Sequence, residues 1–212
     1  DGFPIWTHSV TAHLREIVGE RLLTALFQPI TDLRSGAIAG YEGLIRGPSD
    51  SPLHSPLCLF KIAKQHHRAV EVEHLCRRIV LEKFAELGLP GRLFLNVSPG
   101  CLLQRDARHG ETLATLRDAG IEPERVIIEL TESQLTYDYG MLREAGAHYR
   151  RMGFQIAMND HGESLSSPSL WSELRPEFVK IDMHFIQGID RDPVKLQFVR
   201  SIQEIAENPA AR

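Results

Sequence analysis

Cysteine is scarce. Cys58, Cys76 and Cys101 are the only three in 212 residues, an odd number at no metal-ligand spacing, so no disulfide framework is expected and each should pack as a small hydrophobe. Long apolar runs are lacking as well. None approaches the roughly 18 residues of a membrane-spanning helix, and no signal-peptide pattern opens the chain. A cytoplasmic domain with no membrane segment of its own is the expectation. Nor is there an excess of positive charge: 24 Lys and Arg stand against 28 Asp and Glu, a net charge of -4. That balance excludes a protein that grips duplex nucleic acid through bulk charge. No repeat of 20 to 50 residues and no low-complexity tract interrupts the chain. The histidines, among them His54, His66, His67 and His74, show no ligand spacing, and surface roles are expected for them.

What remains is an ordinary globular composition, 42% hydrophobic and 25% charged, with enough apolar material for a sizeable core. At about 150 residues per domain, one large domain is expected. Residues 1–8 read as a linker or stub and residues 9–212 as the domain. A helical pattern runs over 9–23, followed by short apolar runs at 25–30, 37–45, 92–97, 125–130, 154–159 and 178–181, each of strand length. Helical stretches at 57–67, 69–87, 111–119, 137–152 and 194–207 lie between or after them. Alternating strands and helices predict an α/β fold with a mostly parallel sheet. The first two strands are separated only by TDLRSG, which suits an antiparallel hairpin.

In such folds chemistry gathers at the carboxyl ends of strands. There the second strand carries Glu42 and Arg46, the third Asn96, the fourth Glu129 and Glu132, the fifth Asn159 and Asp160, and the sixth Lys180 and Asp182. Singly, each has a plain structural reading: a paired carboxylate, a turn former, a strand-end lysine. Together, polar residues at five successive strand ends favour a site. Two like charges 4 Å apart repel by about 4 kcal/mol at an effective dielectric of 20, so clustered carboxylates either take up protons or hold a cation. All-oxygen ligands suit Mg2+ or Mn2+ rather than zinc. A nearby Lys and Arg would suit a phosphate, the Arg through a forked contact. Phosphodiester hydrolysis assisted by one or two metals is the chemistry that joins these features.

The segments FQPI, YEGLIRG, LFLNVSP, IIELTES, MNDHGES and VKID, in that order, resemble the EAL domain family of bacterial phosphodiesterases and receptors for cyclic di-GMP. The resemblance runs from about Leu22 to Glu207. It implies a TIM-like (β/α) barrel whose first strand is antiparallel to the rest, with its C-terminal strands beyond the end of this chain. It also implies that Glu42, Asn96, Glu129 and Asn159 bind metal and that Asp160 reaches a second metal. Lys180 matches the lysine that orients the attacking water, and Glu132 the glutamate that holds the loop after the fifth strand. Gln28, Leu44 and Arg46 match positions that touch the ligand. Adjacent signalling domains are implied too, and a homodimer is within what the family allows.

Three departures qualify the match. Gly43 replaces the alanine of the name motif, a change expected to be tolerated. The Asp-Asp-Phe-Gly loop is Asn159-Asp160-His161-Gly162, so one ligand has lost its charge. For His161 altered loop packing is the expectation, ahead of a substitute ligand. The late Glu-Gly-Val-Glu motif does not occur in these 212 residues. Two functions stay open on this reading, a metal-dependent cyclic di-GMP phosphodiesterase yielding pGpG and a degenerate cyclic di-GMP receptor acting on a partner domain. A purely structural or dimerising domain is the weakest third.

Overall fold

Six strands pair in chain order, β1-β2-β3-β4-β5-β6. The computed structural model describes residues 6–98, 108–131, 139–160 and 168–207. The chain divides into two compact units, residues 1–93 with 106–122, and residues 94–105 with 123–212.

The first unit opens with α1 (Trp6–Gly19), which buries Leu14 and Ile17. The helix ends before the expected residue 23 because Arg21 takes a positive φ of 55° and turns the chain into β1 (Thr24–Thr31). β1 and β2 (Ile38–Arg46) form the antiparallel hairpin that the TDLRSG segment predicts. Its turn is held by Asp32, whose Oδ1 accepts from the amides of Arg34 (2.9 Å) and Ser35 (2.8 Å) and from the Ser35 hydroxyl. These bonds hold the Asp32 carboxyl below its ordinary range. Next come α2 (Pro56–Gln65) and α3 (Ala69–Glu86), whose buried stripe includes Val72, Cys76, Val80 and Phe84. Gly88, at φ 58°, stops α3 in the left-handed conformation that glycine adopts without strain. One strand face of the hairpin packs on this helix: Phe27 meets Phe84 at 5.8 Å between ring centroids, and Gly43 lies against Val80. α4 (Arg108–Asp118) also packs on α3.

β3 (Arg92–Asn96) begins in the first unit and continues into the second. There follow β4 (Val126–Thr131), α5 (Tyr139–Arg151), β5 (Gln155–Asp160), α6 (Pro168–Leu174), β6 (Phe178–Ile181), a one-turn α7 (Met183–Ile186) and α8 (Pro193–Glu207). β4–β5 and β5–β6 are parallel. Residues 126–130 and 156–158 are essentially inaccessible, as expected of parallel strands covered on both faces. β6 differs, being four residues long and half-buried throughout.

Sequence periodicity anticipated neither α6 nor α7, both too short to display a period. Asp182, which stands out in the sequence at the sixth strand's end, caps α7 by accepting from the His184 amide at 2.8 Å. Cys58 departs from the expected packing: it is exposed on α2, whereas Cys76 is buried. Cys101 lies outside the described residues. Among the described residues no helix is long and apolar enough to cross a membrane.

Candidate functional site

In the first unit, strand register gathers the candidates onto one face. Gln28 pairs directly with Glu42, Leu26 with Leu44, and Thr24 with Arg46. Side chains two apart along a strand share a face, so Gln28, Glu42, Leu44 and Arg46 lie together. The opposite face, Phe27, Gly43 and Ile45, is the one turned to α3 and the core. Gln28 is exposed, while Glu42, Leu44 and Arg46 are half-buried. The Arg46 guanidinium donates to the Ile45 carbonyl at 2.7 Å.

Gly43 is tighter than the sequence suggested. A Cβ built there would lie 2.3 Å from Val80 Cγ1, well inside contact distance. Helix α3 has therefore settled into the space that the family's alanine methyl would fill.

The second unit holds the charged centre. Glu129 on β4 is 0% exposed, and its Oε1 accepts a hydrogen bond from Nζ of Lys180 on β6. The Lys180 side chain is itself only 14% exposed. Taking an ionised carboxylate out of water is costly without a cation beside it, and Lys180 provides that cation. Between the two strands lies β5, where Ala157 pairs with Glu129 on one side and with Phe178 on the other.

The same face extends to β3. Phe94 and Phe178 meet edge to face at 5.7 Å, although two strands separate β3 from β6. Within this unit the strands therefore curl, and the face is concave. Asn96 lies two residues beyond Phe94, and Lys180 two beyond Phe178, so both share that concave face. Beyond Asn96, the Val97 amide donates to the Glu129 carbonyl at 3.2 Å, tying the end of β3 to β4. Asn159 stands beside Lys180 in the β5–β6 register, and Asp160 beside Ile181. Glu132 and His161 lie outside the described residues.

Asn96 and Glu129 offer oxygen donors only, the chemistry of a hard divalent cation. Among the described residues no three His, Cys, Asp or Glu side chains group to hold a metal. Two of the residues assigned to the cation are asparagines, which such a group would not include. Fully buried Glu129, on a concave face with an amide oxygen nearby in the sheet, fits a cation of this kind.

Two residues that the sequence does not single out also stand out here. Arg150 on α5 and Glu177, just before β6, pair through Nε and Oε1 at 2.7 Å. Nothing in a single sequence links positions 27 apart.

Comparison with known proteins agrees with this architecture. The chain belongs to the EAL domain family, whose model matches residues 12–210. It is 29% identical over 207 residues to the uncharacterized protein Rv1354c of Mycobacterium tuberculosis, covering 94% of this chain and 33% of that one. It is 27% identical over 199 residues to the probable cyclic di-GMP phosphodiesterase PdeI of Escherichia coli, covering 87% and 24%. The chain thus spans a third or less of the length of these curated relatives. Among solved structures, the phosphodiesterase PaMucR in complex with c-di-GMP superposes with a TM-score of 0.76 at 22% identity, over 92% of this chain and 80% of that one. The manganese and cyclic di-GMP complex of BlrP1 from Klebsiella pneumoniae gives 0.73 at 24% identity, over 85% and 45%. The fold is mixed α/β, similar to these EAL structures, with the first strand antiparallel as the sequence implied.

Proposed function

We propose that this domain binds cyclic di-GMP and hydrolyses it to pGpG with a divalent cation, Mg2+ or Mn2+. The observation that carries this reading is Glu129, fully buried on a concave strand face and bonded to Lys180 from the neighbouring part of the sheet. Family membership and structural neighbours solved as cyclic di-GMP complexes, one of them with manganese, support the ligand and the metal.

In this reading Glu129, Asn96 and Asn159 of the second unit hold the cation, Asp160 reaches a second one, and the resemblance gives Glu42 a metal-binding role as well. A bound divalent ion would polarise the phosphoryl oxygens and favour ionisation of the attacking water. Lys180 orients that water by donating to its oxygen and holds Glu129 in place. Water adds across one P–O bond, leaving a terminal phosphate and a free hydroxyl. Glu132 steadies the loop after β5. Gln28, Leu44 and Arg46, which share one face of the hairpin, contact the ligand, and Arg46 is suited to a phosphate through its fork.

The test is incubation with cyclic di-GMP and Mg2+ or Mn2+, with pGpG followed by chromatography. Turnover that chelation abolishes is expected; well-folded protein without turnover in either ion would refute hydrolysis. The receptor reading is favoured by one feature, the amide of Asn159 where the resembled family motif has an aspartate. Calorimetric binding of cyclic di-GMP without turnover would select it. Larger assemblies, with adjacent signalling domains, a homodimer and a cytoplasmic location, are part of the same proposal and are tested on the full-length protein.

A further inference from the structure

β6 is a weak element on which to hang a lysine that must meet a buried carboxylate. It has four residues, all half-buried, at the end of the strand order. In a strand, a slip of one residue sends every side chain to the opposite face. Such a slip would move Lys180 off the concave face and put Val179 or Ile181 there.

Immediately before the strand stands Glu177, bonded twice to the main chain of β5. Its amide donates to the Ile156 carbonyl at 3.0 Å, and its carboxylate Oε2 accepts from the Ile156 amide at 2.7 Å. Both main-chain groups of Ile156 are thus taken by one residue, a single step before the Ala157–Phe178 pair. The carboxylate is held in turn by the Arg150 fork, with Nε on Oε1 at 2.7 Å and Nη2 on Oε2 at 3.2 Å. The same Nη2 donates to the carbonyls of Leu174 and Arg175, each at 2.8 Å. Those are carbonyls at the end of α6, which a helix leaves without internal partners. Arg175 is in the left-handed region at φ 43°, where a non-glycine residue persists only if its surroundings hold it. One guanidinium therefore fastens helix end, turn and strand entry together.

We propose that Arg150 and Glu177 are positioning residues that set the β5–β6 register and so deliver Lys180 to Glu129. The assignment rests on the reading of Lys180 as a working residue of the site. The planar fork is what the geometry uses, so lysine at position 150 should not substitute.

The test uses Arg150→Lys and Glu177→Gln in the whole chain, two conservative changes that keep charge or hydrogen-bonding oxygen. Steady-state kinetics with cyclic di-GMP should give a kcat lower by about tenfold or more, as small misplacements of catalytic groups do, with KM changed less than about twofold. In parallel, protein labelled with 15N at lysine Nζ should give a slowly exchanging ammonium signal, assigned to Lys180 by its loss in Lys180→Arg. That signal should vanish or broaden in both variants while amide resonances away from β6 stay put. An unchanged kcat, a persistent signal in both variants, or no such signal in the parent protein overturns the proposal. Absence of turnover in the parent would count against hydrolysis alone, because the ammonium signal still decides whether the clamp places Lys180.

Discussion

Taken singly, Glu129 and Lys180 have plain readings in the sequence, a glutamate in an apolar run and a lysine near a strand end. Their pairing changes what each substitution should do. Lys180→Met leaves a buried carboxylate without the ammonium that faces it, and a loss of about 3 kcal/mol in urea unfolding is expected. Glu129→Gln together with Lys180→Met should recover much of that loss, since removing both charges leaves none stranded. A double mutant no more stable than Lys180→Met alone would show that the pair is not what holds this region. Gly43 supplies a second residue-scale case. The family's alanine looks harmless there, yet its methyl would meet Val80. Gly43→Ala should destabilise by about 1–3 kcal/mol, the usual cost of overpacking. Val80→Ala in the same chain should return part of it, and simple additivity of the two losses would refute the clash.

At the scale of elements, the helices differ in how they treat similar side chains. Cys58 sits on the outer side of α2 and Cys76 on the inner side of α3. Burial, with the negative charge of Glu73 adding to it, pushes the Cys76 thiol up to about 12. A raised thiol pKa means the neutral form is the folded one. Its contribution to stability is complete below the unfolded value, near 8.5, and is lost as the pH climbs from there toward 12. In a Cys101→Ser background at pH 8, an alkylating reagent should therefore label Cys58 and spare Cys76 until denaturant is added. Mass spectrometry of the labelled peptides reads this out; equal labelling in native protein would contradict the buried placement. Strands were easier than short helices to see in the sequence. The apolar runs that became β3, β4 and β5 are continuous because both faces are covered, and the hairpin was declared by TDLRSG. By contrast α6 and α7, at seven and four residues, are shorter than a period can reveal.

Across the whole chain, the two functional readings differ by one charge. Asn159 stands at the β5 register position beside Lys180, where an aspartate would add a carboxylate to the proposed cation site. Asn159→Asp should tighten Mn2+ binding and raise turnover of cyclic di-GMP by about tenfold or more, if a charged ligand holds the ion better than an amide. Isothermal calorimetry with the metal and pGpG formation measure the two effects, and an unchanged rate would place the limit elsewhere.

The order of the strands and longer helices, the antiparallel hairpin, the parallel pairing that follows it and the family were readable from the linear sequence; the short α6 and α7 were not. The readable features depend on local periods, turn chemistry and ordered motifs, which a chain carries wherever it folds. Which partner each candidate meets was decided only by packing and register. Lys180 finds Glu129, 51 positions away, because Glu177 and Arg150 fix where β6 begins. Val80 claims the space above Gly43 because a helix and a strand far apart in sequence are pressed together. Contacts of that kind depend on distances between segments, and no period along the chain encodes them.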